Sequence, residues 1–385
     1  MRLERVTRHQ SGIERHRFTQ TPYHEAGRVD IRPGSTIEGP NGQTITIDSL
    51  LGSGGFGQVF HGTLPDGMPV AIKTVLTATL TPPELAALQN EARLASGIVH
   101  LNVVRVLHID DGEAASGRPP YIVMEYVGGG TLRAMLRDRQ LRNALFDPDE
   151  LRAMYLQIAE GMEAVNATLV HRDLKPENVL IDAAKQHLKI TDFGLAKLAN
   201  ATTRSATFKG WGTPAYMSPE AFELGPNTLA MDVYSAGVLF HEIAVLAPPL
   251  TPKGADQGWP AWRRAHLLEA PADLRASRGD LPLDIVQLVM QMLQKDPSKR
   301  PPSWSAIMQR LRTGAAVPLA RPDVSLLVEQ ATTRYRQATE AETRAGEERE
   351  RRQEARRCSD RRSNSPCNFS VNWSKRSMHP RPLGD

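Results

Sequence analysis

The chain has few cysteines, no long apolar run and no strong excess of charge of either sign. Only Cys358 and Cys367 occur among its 385 residues, which excludes a disulfide scaffold and a four-cysteine zinc site. Both lie in the tail, so we expect the body of the protein in a reducing compartment. No uninterrupted apolar stretch approaches the roughly 18 residues of a membrane span. We therefore expect no membrane span.

The charge balance gives little support for a nucleic-acid partner. There are 47 Lys and Arg residues against 43 Asp and Glu residues, a net charge of +4 that is spread along the chain. We expect no nucleic acid to bind. The arginine-rich N-terminus lacks the apolar core of a secretory signal, so a soluble, cytoplasmic protein is expected. The composition, 40% hydrophobic and 23% charged, is that of a globular protein.

Changes in composition divide the chain into five parts. Residues 1–35 are polar and arginine-rich, and we interpret them as a disordered basic arm. Residues 36–127 are rich in strand signals, and residues 128–313 are mostly helical in pattern. Residues 314–357 are rich in Glu, Arg and Ala, which favours a charged, solvated helix over a coiled-coil partner. Residues 358–385 are expected to be a disordered tail.

Hydrophobic periodicity predicts strands first and helices later. The predicted strands cover residues 44–51, 58–64, 70–75, 103–109 and 121–126. One early helix lies between a capping box at Thr81–Glu84 and Gly97. The later predicted helices cover residues 149–167, 232–247, 262–270, 283–293 and 304–311. A small β-rich lobe should therefore precede a larger helical lobe, which makes an α+β fold.

A glycine-rich stretch, LGSGGFGQV, joins the first two predicted strands at residues 51–59. It contains a G-x-G-x-x-G, which dinucleotide-binding folds also use, but those folds require a helix directly after the glycines. Here a strand with Val59 follows. Backbone N–H groups of such a turn can lie over phosphates. An ordinary glycine hairpin is the alternative.

A lysine on the third predicted strand is a candidate phosphate ligand. Lys73 follows the apolar Val70-Ala71-Ile72 and could hold phosphates as a point charge, although a lysine on a solvent-facing strand surface is the plainer interpretation. A carboxylate should steady its ammonium group. We assign that role to Glu91 on the following helix rather than to Glu84, which belongs to the capping box.

The densest polar stretch, HRDLKPEN at residues 171–178, is followed by an Asp-Phe-Gly that begins at Asp192. Asp173 can accept or orient a hydroxyl proton, and Lys175 can neutralise charge on a phosphoryl group in transfer. Asn178 and Asp192 offer the hard oxygen ligands that Mg²⁺ prefers. Each residue alone could be a surface polar group, but their order and spacing together indicate an active site.

On these motifs the chain resembles the eukaryotic-type (Hanks-type) serine/threonine protein kinase family, over about residues 36–312. GTPAYMSPE at residues 212–220 and DVYSAGVLFHEI at residues 232–243 extend the resemblance. It implies a two-lobed kinase fold, with an antiparallel β-sheet N-lobe that carries one key helix and a mainly helical C-lobe. It also implies that ATP binds in the cleft and that its γ-phosphate passes to Ser or Thr hydroxyls of protein substrates.

The resemblance assigns roles to individual residues. Asp173 would be the catalytic base, assisted by Lys175. Lys73 would pair with Glu91, and Asn178 and Asp192 would bind Mg²⁺. The ATP contacts would come from the glycine-rich stretch, the apolar residues around adenine and the hinge. They are Leu51, Gly52, Ser53, Gly54, Gly55, Phe56, Gly57, Val59, Ala71, Lys73, Met124, Glu125, Val127 and Leu180.

Further contacts follow from the same resemblance. Asp232 would brace the catalytic loop, and Glu220 would pair with Arg300. Arg172 would bind a phosphate on the activation segment, which would order that segment. The candidate phosphorylation sites are Thr202, Thr203, Ser205 and Thr207. A polar flexible loop without such a switch is the alternative.

The sequence departs from the family pattern at three places. Ala95 stands where a larger apolar residue is usual, and Leu101 stands where proline is usual. Residues 247–260 replace a shorter loop, which leaves substrate docking open.

A pseudokinase scaffold, a small-molecule phosphotransferase and an assembly module are the alternatives to an active kinase. The presence of Lys73, Asp173, Asn178 and Asp192 disfavours a pseudokinase. The GTPAYMSPE segment disfavours a small-molecule phosphotransferase. The oligomeric state is left open.

Overall fold

The computed structural model describes two compact units. The described residues are 31–54, 57–74, 82–112, 118–182, 187–192, 214–252 and 258–314. The first unit runs to Val127 without the segment His100–Val103, and the second unit comprises that segment and the residues from Gly128 onward. Residues 1–30 of the predicted basic arm and both predicted tail segments beyond Gly314 lie outside the described residues.

Six strands form one antiparallel sheet in the first unit, in the order β1-β2-β3-β4-β6-β5. They are β1 (Thr36–Glu38), β2 (Thr44–Gly54), β3 (Gly57–Thr63), β4 (Pro69–Thr74), β5 (Val106–Asp110) and β6 (Tyr121–Glu125). Helix α1 (Pro82–Ser96) follows β4 and packs against β5. The predicted capping box of this helix lies outside the residues whose side chains are described.

One face of this sheet is buried in an apolar core. Phe60 lies opposite Ile72, and Ile72 lies opposite Val123, so the three side chains share one face across β3, β4 and β6. All three belong to the core cluster. Ile31, which is only 6% exposed, belongs to it as well. The ordered fold therefore includes the end of the segment that was predicted to be a disordered arm.

The second unit is mainly helical. Its helices are α2 (Leu132–Leu141), α3 (Pro148–Asn166), α4 (Pro219–Phe222), α5 (Leu229–Val245), α6 (Trp259–Leu268), α7 (Leu274–Ser277), α8 (Leu283–Met292) and α9 (Trp304–Thr313). Strands β7 (Val179–Asp182) and β8 (His187–Ile190) form a separate antiparallel pair. None of the helices in the described part of the chain combines the length and the apolar character that crossing a bilayer requires.

Helices α3 and α5 form the centre of the second unit. Helix α3 begins with a reciprocal capping box between Asp147 and Glu150, which satisfies two backbone N–H groups at its start. Helix α5 is mainly apolar and is buried along almost its whole length, including its polar residues Asp232, His241 and Glu242. The rings of Tyr155 and Phe240 stack with their centroids 4.0 Å apart. These contacts hold the two helices together.

The α+β class is confirmed, with the sheet in the N-terminal part and helices in the C-terminal part. Every strand that the pattern predicted has a counterpart, although the fourth begins later than expected, at Val106. Sequence reasoning missed β1, α2, α4, α7 and the β7–β8 pair. The strands of the β7–β8 pair are only four residues long, too short for a clear alternation to emerge.

Candidate active site

The β7–β8 hairpin positions both candidate metal ligands. Asn178 directly precedes β7, and Asp192 follows β8 after one intervening residue. Val179 pairs with Ile190, and the backbone N–H of Thr191 donates to the Asn178 carbonyl at 3.0 Å. Because the strands are antiparallel, the start of one and the end of the other lie at the same end of the hairpin. The fold therefore brings Asn178 and Asp192 to one edge.

The polar loop at residues 171–178 is held by a buried carboxylate from α5. Asp232 is fully buried and accepts the backbone N–H groups of His171, at 2.7 Å, and Arg172, at 2.8 Å. It also accepts the Asn166 side-chain amide at 2.7 Å. Arg172 has a φ of +66°, in the left-handed region. The carboxylate thus stabilises a backbone turn that a non-glycine residue rarely adopts. The predicted bracing role of Asp232 is confirmed.

His171 links this loop to the segment after β8. Its Nδ1 accepts the backbone N–H of Asp173 at 3.2 Å, so Nε2 must carry the proton that is donated to the Thr191 carbonyl at 3.1 Å. Burial lowers the pKa of His171, although Asp232 and Asp173 oppose this. The imidazole is therefore neutral at pH 7 and acts as a fixed structural bridge.

One ammonium group and one amide group converge on the Asp173 carboxylate. Lys175 Nζ lies 2.8 Å from Asp173 Oδ2, and Asn178 Nδ2 lies 3.0 Å from the same oxygen. Asn178 Nδ2 also donates to the Asp173 backbone carbonyl at 2.8 Å. The Asn178 amide nitrogen is thereby committed to Asp173, which leaves the amide oxygen for a metal ion. Three of the predicted catalytic and metal-binding residues thus meet within hydrogen-bonding distance.

The donor set fits Mg²⁺ better than a transition metal. Within the described ranges, no three His, Cys, Asp or Glu side chains come together as a metal cluster. An amide oxygen from Asn178 and a carboxylate from Asp192 are hard ligands, which Mg²⁺ takes together with water and phosphate oxygens. Sites of that kind need only one or two protein carboxylates.

In the first unit, the sheet face opposite the apolar core carries the predicted nucleotide contacts. Val59 lies directly opposite Lys73, and Ala71 lies directly opposite Met124. Ala71 and Lys73 are two residues apart on β4, so their side chains point to the same face. The register therefore places these four residues on one surface. Lys73 is only 9% exposed.

The glycine-rich stretch is the end of the β2–β3 hairpin. Gly52 pairs with Val59, and Gly54 pairs with Gly57, while Gly55 and Phe56 lie outside the described residues. Gly57 has a φ of +144°, and a Cβ there would lie 1.8 Å from the Thr74 carbonyl oxygen. Only glycine fits at that position. A Cβ on Gly52 would meet nothing within 4 Å, so packing does not require glycine there.

For the other predicted nucleotide-site residues, the structure gives the position in the fold but not the predicted contact. Glu91 lies on α1 in the same unit as Lys73, and their pairing stays a prediction. The Glu125 backbone N–H donates to the Arg105 carbonyl at 2.9 Å, and the Glu125 side chain accepts the Arg105 N–H at 2.9 Å. Leu180, on β7, is partly exposed and forms an isolated bridge with Thr131. The predicted hinge role of Glu125 and Val127 stays a prediction.

Sequence reasoning missed a partly buried charge cluster beside the loop. Arg133 on α2 donates to Glu177 at 2.8 Å and to Glu242 at 2.6 Å, and it also contacts the Tyr216 hydroxyl. Although burial opposes the charge, hydrogen bonds to Glu242 and Glu177 raise the pKa of Arg133. Burial and the Glu242 charge raise the pKa of Tyr216. The cluster ties residue Glu177 of the loop to α2 and α5.

Two further side-chain contacts, one made by Trp304 and one by Arg300, stabilise the second unit farther from the loop. Trp304 Nε1 donates to Asn166 Oδ1 at 2.6 Å, so α9 orients the amide that contacts Asp232. Arg300 forms a bidentate pair with Glu220 at 2.6 and 2.8 Å, which confirms that predicted contact. No local sequence signal singled out Asn166 or Trp304, because their roles depend on helices that are distant in sequence.

Several predicted features lie outside the described residues. They include Phe193 and Gly194 of the Asp-Phe-Gly motif and the whole stretch to Thr213. The candidate phosphorylation sites Thr202, Thr203, Ser205 and Thr207 lie in that stretch.

Comparison with known proteins agrees with this geometry. A family model described as the protein kinase domain matches residues 45–311. Serine/threonine-protein kinase A of Synechocystis is 32% identical over 280 residues, which cover 68% of this chain and 51% of the relative. PkaB of Streptomyces coelicolor is 35% identical over 67% of this chain and 60% of its own length. The kinase pkn3 of Myxococcus xanthus is 32% identical over 70% of this chain and 50% of its own length. Both are named serine/threonine-protein kinases. The chain thus spans half to three fifths of the relatives' length.

Proposed function

Because the chain belongs to the protein kinase family, of the Hanks type, we propose that it is a serine/threonine protein kinase. It transfers the γ-phosphate of ATP to Ser or Thr hydroxyls of protein substrates. The observation that carries this proposal is the convergence of Lys175 and Asn178 on one oxygen of Asp173. The names of the relatives support the same substrate class.

In this mechanism the loop residues position a hydroxyl and balance charge. Asp173 accepts the hydrogen of the incoming hydroxyl and orients its oxygen. The Lys175 ammonium, 2.8 Å from Asp173, offsets negative charge on the phosphoryl group during transfer. Positioning and charge account for most of the catalysis, since phosphoryl transfer requires little covalent chemistry from the protein.

The cofactors are ATP and Mg²⁺. Protein kinase domains use ATP, and Mg²⁺ neutralises phosphate charge when it is bound. Asn178 and Asp192 would hold the metal ion through their side-chain oxygens. Lys73 would hold the α- and β-phosphates, steadied by Glu91, and Val59, Ala71 and Leu180 would pack on adenine. The glycine-rich stretch would cover the phosphates with backbone N–H groups.

The kinase proposal is tested by phosphate transfer from radiolabelled ATP to a generic Ser/Thr protein acceptor. Asp173→Asn should lower the transfer rate by about 10²- to 10⁴-fold, while binding of magnesium nucleotide persists. Lys73→Met should weaken nucleotide binding itself. Asp138→Asn, at an exposed ion pair on α2, serves as a matched control. Activity that survives Asp173→Asn would contradict the assignment of the base, and absence of transfer in the unaltered chain would favour a scaffold.

Regulation by phosphorylation of the activation segment is a finer part of the proposal. A phosphate on Thr202, Thr203, Ser205 or Thr207 would gain charge-assisted bonds to Arg172. The fourfold alanine variant should then lose most of its activity, and mass spectrometry should find phosphate in this segment of the unaltered chain. Full activity in the fourfold variant would exclude the switch. We propose that the protein acts in the cytoplasm, because the N-terminal sequence lacks the apolar core of a secretory signal and both cysteines lie in the tail.

A further inference from the structure

Helix α9 lies along α3 in the second unit, and the two helices run in opposite directions. Trp304, the first residue of α9, donates to Asn166, the last residue of α3. Near the other end of α9, the Leu311 carbonyl accepts a hydrogen bond at 2.6 Å from Arg152, in the first turns of α3. Contacts at both ends therefore fix α9 along α3.

The position of Trp304 is fixed by its own segment as well. The Ser303 side chain caps α9 by accepting the backbone N–H of Ala306 at 3.1 Å. Four residues before Trp304, the buried Arg300 guanidinium is held by its bidentate pair with Glu220. Trp304 itself is only 1% exposed. The indole N–H therefore has little freedom to leave Asn166 Oδ1, which lies 2.6 Å from Nε1.

This indole N–H helps to fix which way the Asn166 amide faces. An indole nitrogen can only donate, so the amide oxygen must face it. The amide nitrogen then donates to Asp232 Oδ2 at 2.7 Å and to the Leu169 carbonyl at 3.0 Å. In the reversed orientation the amide oxygen would face these two acceptors, and the amide nitrogen would face the indole donor. Trp304 thus selects the orientation in which Asn166 donates to Asp232.

Asn166 contacts the approach to the catalytic loop at two points. Its bond to the Leu169 carbonyl closes the turn that leads from α3 into the loop. Its bond to Asp232 ends on Oδ2, the same oxygen that accepts the backbone N–H of His171. Linked hydrogen bonds polarise one another, so donation to the amide oxygen strengthens donation from the amide nitrogen. A change at the indole therefore reaches the loop backbone through the amide and the carboxylate.

We propose that Trp304 is a positioning residue for phosphate transfer, which acts through Asn166 and Asp232 on the loop that carries Asp173. The proposal rests on the proposed kinase function. It predicts an effect on turnover rather than on nucleotide binding, because most of the predicted nucleotide contacts lie in the first unit.

Kinetics of single and double variants test the proposal. Trp304→Phe keeps an aromatic ring in the buried position and removes the N–H donor. It should lower kcat about tenfold and leave the KM for ATP within about twofold of its original value. Asn166→Ala should lower kcat at least as much, and it tests the same contacts if Trp304→Phe does not fold. The double variant should lose no more than Asn166→Ala alone, because the indole acts through the amide.

Two matched controls separate positioning from a general loss of stability. Ser305→Ala removes another hydrogen bond between α9 and α3, to Glu163. Tyr155→Phe removes a buried hydrogen bond from α3 to the Phe240 carbonyl. Both controls should retain kcat, even where thermal unfolding shows a loss of stability. All rates are referred to the folded fraction, which circular dichroism measures.

Hydrogen exchange, read by mass spectrometry, gives a measurement that does not require phosphate transfer. The backbone N–H groups of His171 and Arg172 donate to Asp232. In Trp304→Phe these two amides should exchange about tenfold faster than in the unaltered chain, and in the two controls they should not. Faster exchange in a chain that transfers no phosphate would refute the kinase function and still support the contact between Trp304 and the loop.

Three results would overturn the proposal. The first is an unchanged kcat in both Trp304→Phe and Asn166→Ala. The second is a loss of kcat from Trp304→Phe that is equally large when Asn166 is already alanine, because the indole would then act by another route. The third is unchanged exchange at His171 and Arg172 in Trp304→Phe, since the loop would then be held without the indole.

Discussion

The catalytic loop and the sheet face that carries Lys73 are positioned by different kinds of contact. The loop is held by side chains from distant parts of the chain: Asp232 accepts backbone N–H groups 61 and 60 residues away in sequence. On the sheet face, the backbone ladder alone sets Val59 opposite Lys73. A ladder orients every second residue automatically, whereas an irregular loop needs a separate partner for each polar group. The loop should therefore be the more sensitive region to single substitutions.

The largest effect is expected from Asp232→Ala. The substitution removes the carboxylate that accepts hydrogen bonds from Asn166, His171 and Arg172 inside the second unit. We expect a loss of about 3–5 kcal/mol in the free energy of unfolding. Phosphate transfer should fall by about a hundredfold, because the loop is no longer held in place.

Urea unfolding and a transfer assay on the folded fraction measure the two effects. Asp138→Ala, at an exposed ion pair of the same unit, is the control and should change stability by less than about 1 kcal/mol. If Asp232→Ala were as mild as this control, the loop would be held by its own sequence, and the contrast with the sheet would disappear.

On the sheet side, two glycines of the same hairpin should respond differently to alanine. Gly57→Ala places a methyl group 1.8 Å from the Thr74 carbonyl oxygen, so β3 or β4 must shift, at a cost of about 1–3 kcal/mol. Gly52→Ala meets open space and should cost less than about 1 kcal/mol.

Thermal unfolding compares the two variants, and the KM for ATP is measured on both. A raised KM for Gly52→Ala with unchanged stability would show that this glycine serves the nucleotide. Equal stability losses for the two variants would mean that the ladder does not position this turn as described.

Acid should weaken the second unit. Burial lowers the pKa values of His171, His241 and His266 below 6.5. Below pH 6.5 the unfolded chain therefore binds more protons than the folded one. The stabilisation is complete above pH 6.5 and decreases as the pH falls, by up to about 1.4 kcal/mol per pH unit for each histidine.

Denaturant midpoints at pH 6.5 and 5.5 measure this loss. Burial lowers the pKa of Lys295 to about 7, so this lysine is largely charged in both states over that range and contributes little. All three histidines lie in the second unit, so hydrogen exchange at the two pH values should show faster opening there. Uniform loosening of both units would argue against the histidines as the cause.

The smallest effect is expected from Ala95→Leu. Ala95 is 1% exposed on α1, where the family resemblance implies a larger apolar residue. Added bulk should steady the helix that carries Glu91 and raise basal activity severalfold. Phosphate transfer by unphosphorylated protein measures this, with thermal unfolding to detect overpacking. A fall or no change in activity would count against the idea.

Much of the site was predictable because its residues are adjacent in sequence. HRDLKPEN places Asp173, Lys175 and Asn178 within a few positions, and the structure joins them by hydrogen bonds. The Arg133 cluster was not predictable, because it joins α2, the loop, Tyr216 and α5 across as many as 109 residues. Strands β7 and β8 were missed because they are too short to show alternating polar and apolar residues. They are recognised as strands by their pairing with each other.

The sequence by itself determined the alternating strands, the helical periodicity of α3, the mainly apolar α5 and the order of the polar motifs, since each depends on neighbours along the chain. The tertiary structure decided which buried carboxylate braces the loop, which tautomer His171 adopts, and why packing forbids a side chain at Gly57 but leaves room for one at Gly52. Those properties depend on donors, acceptors and atoms contributed by distant segments, which meet only when the chain is folded.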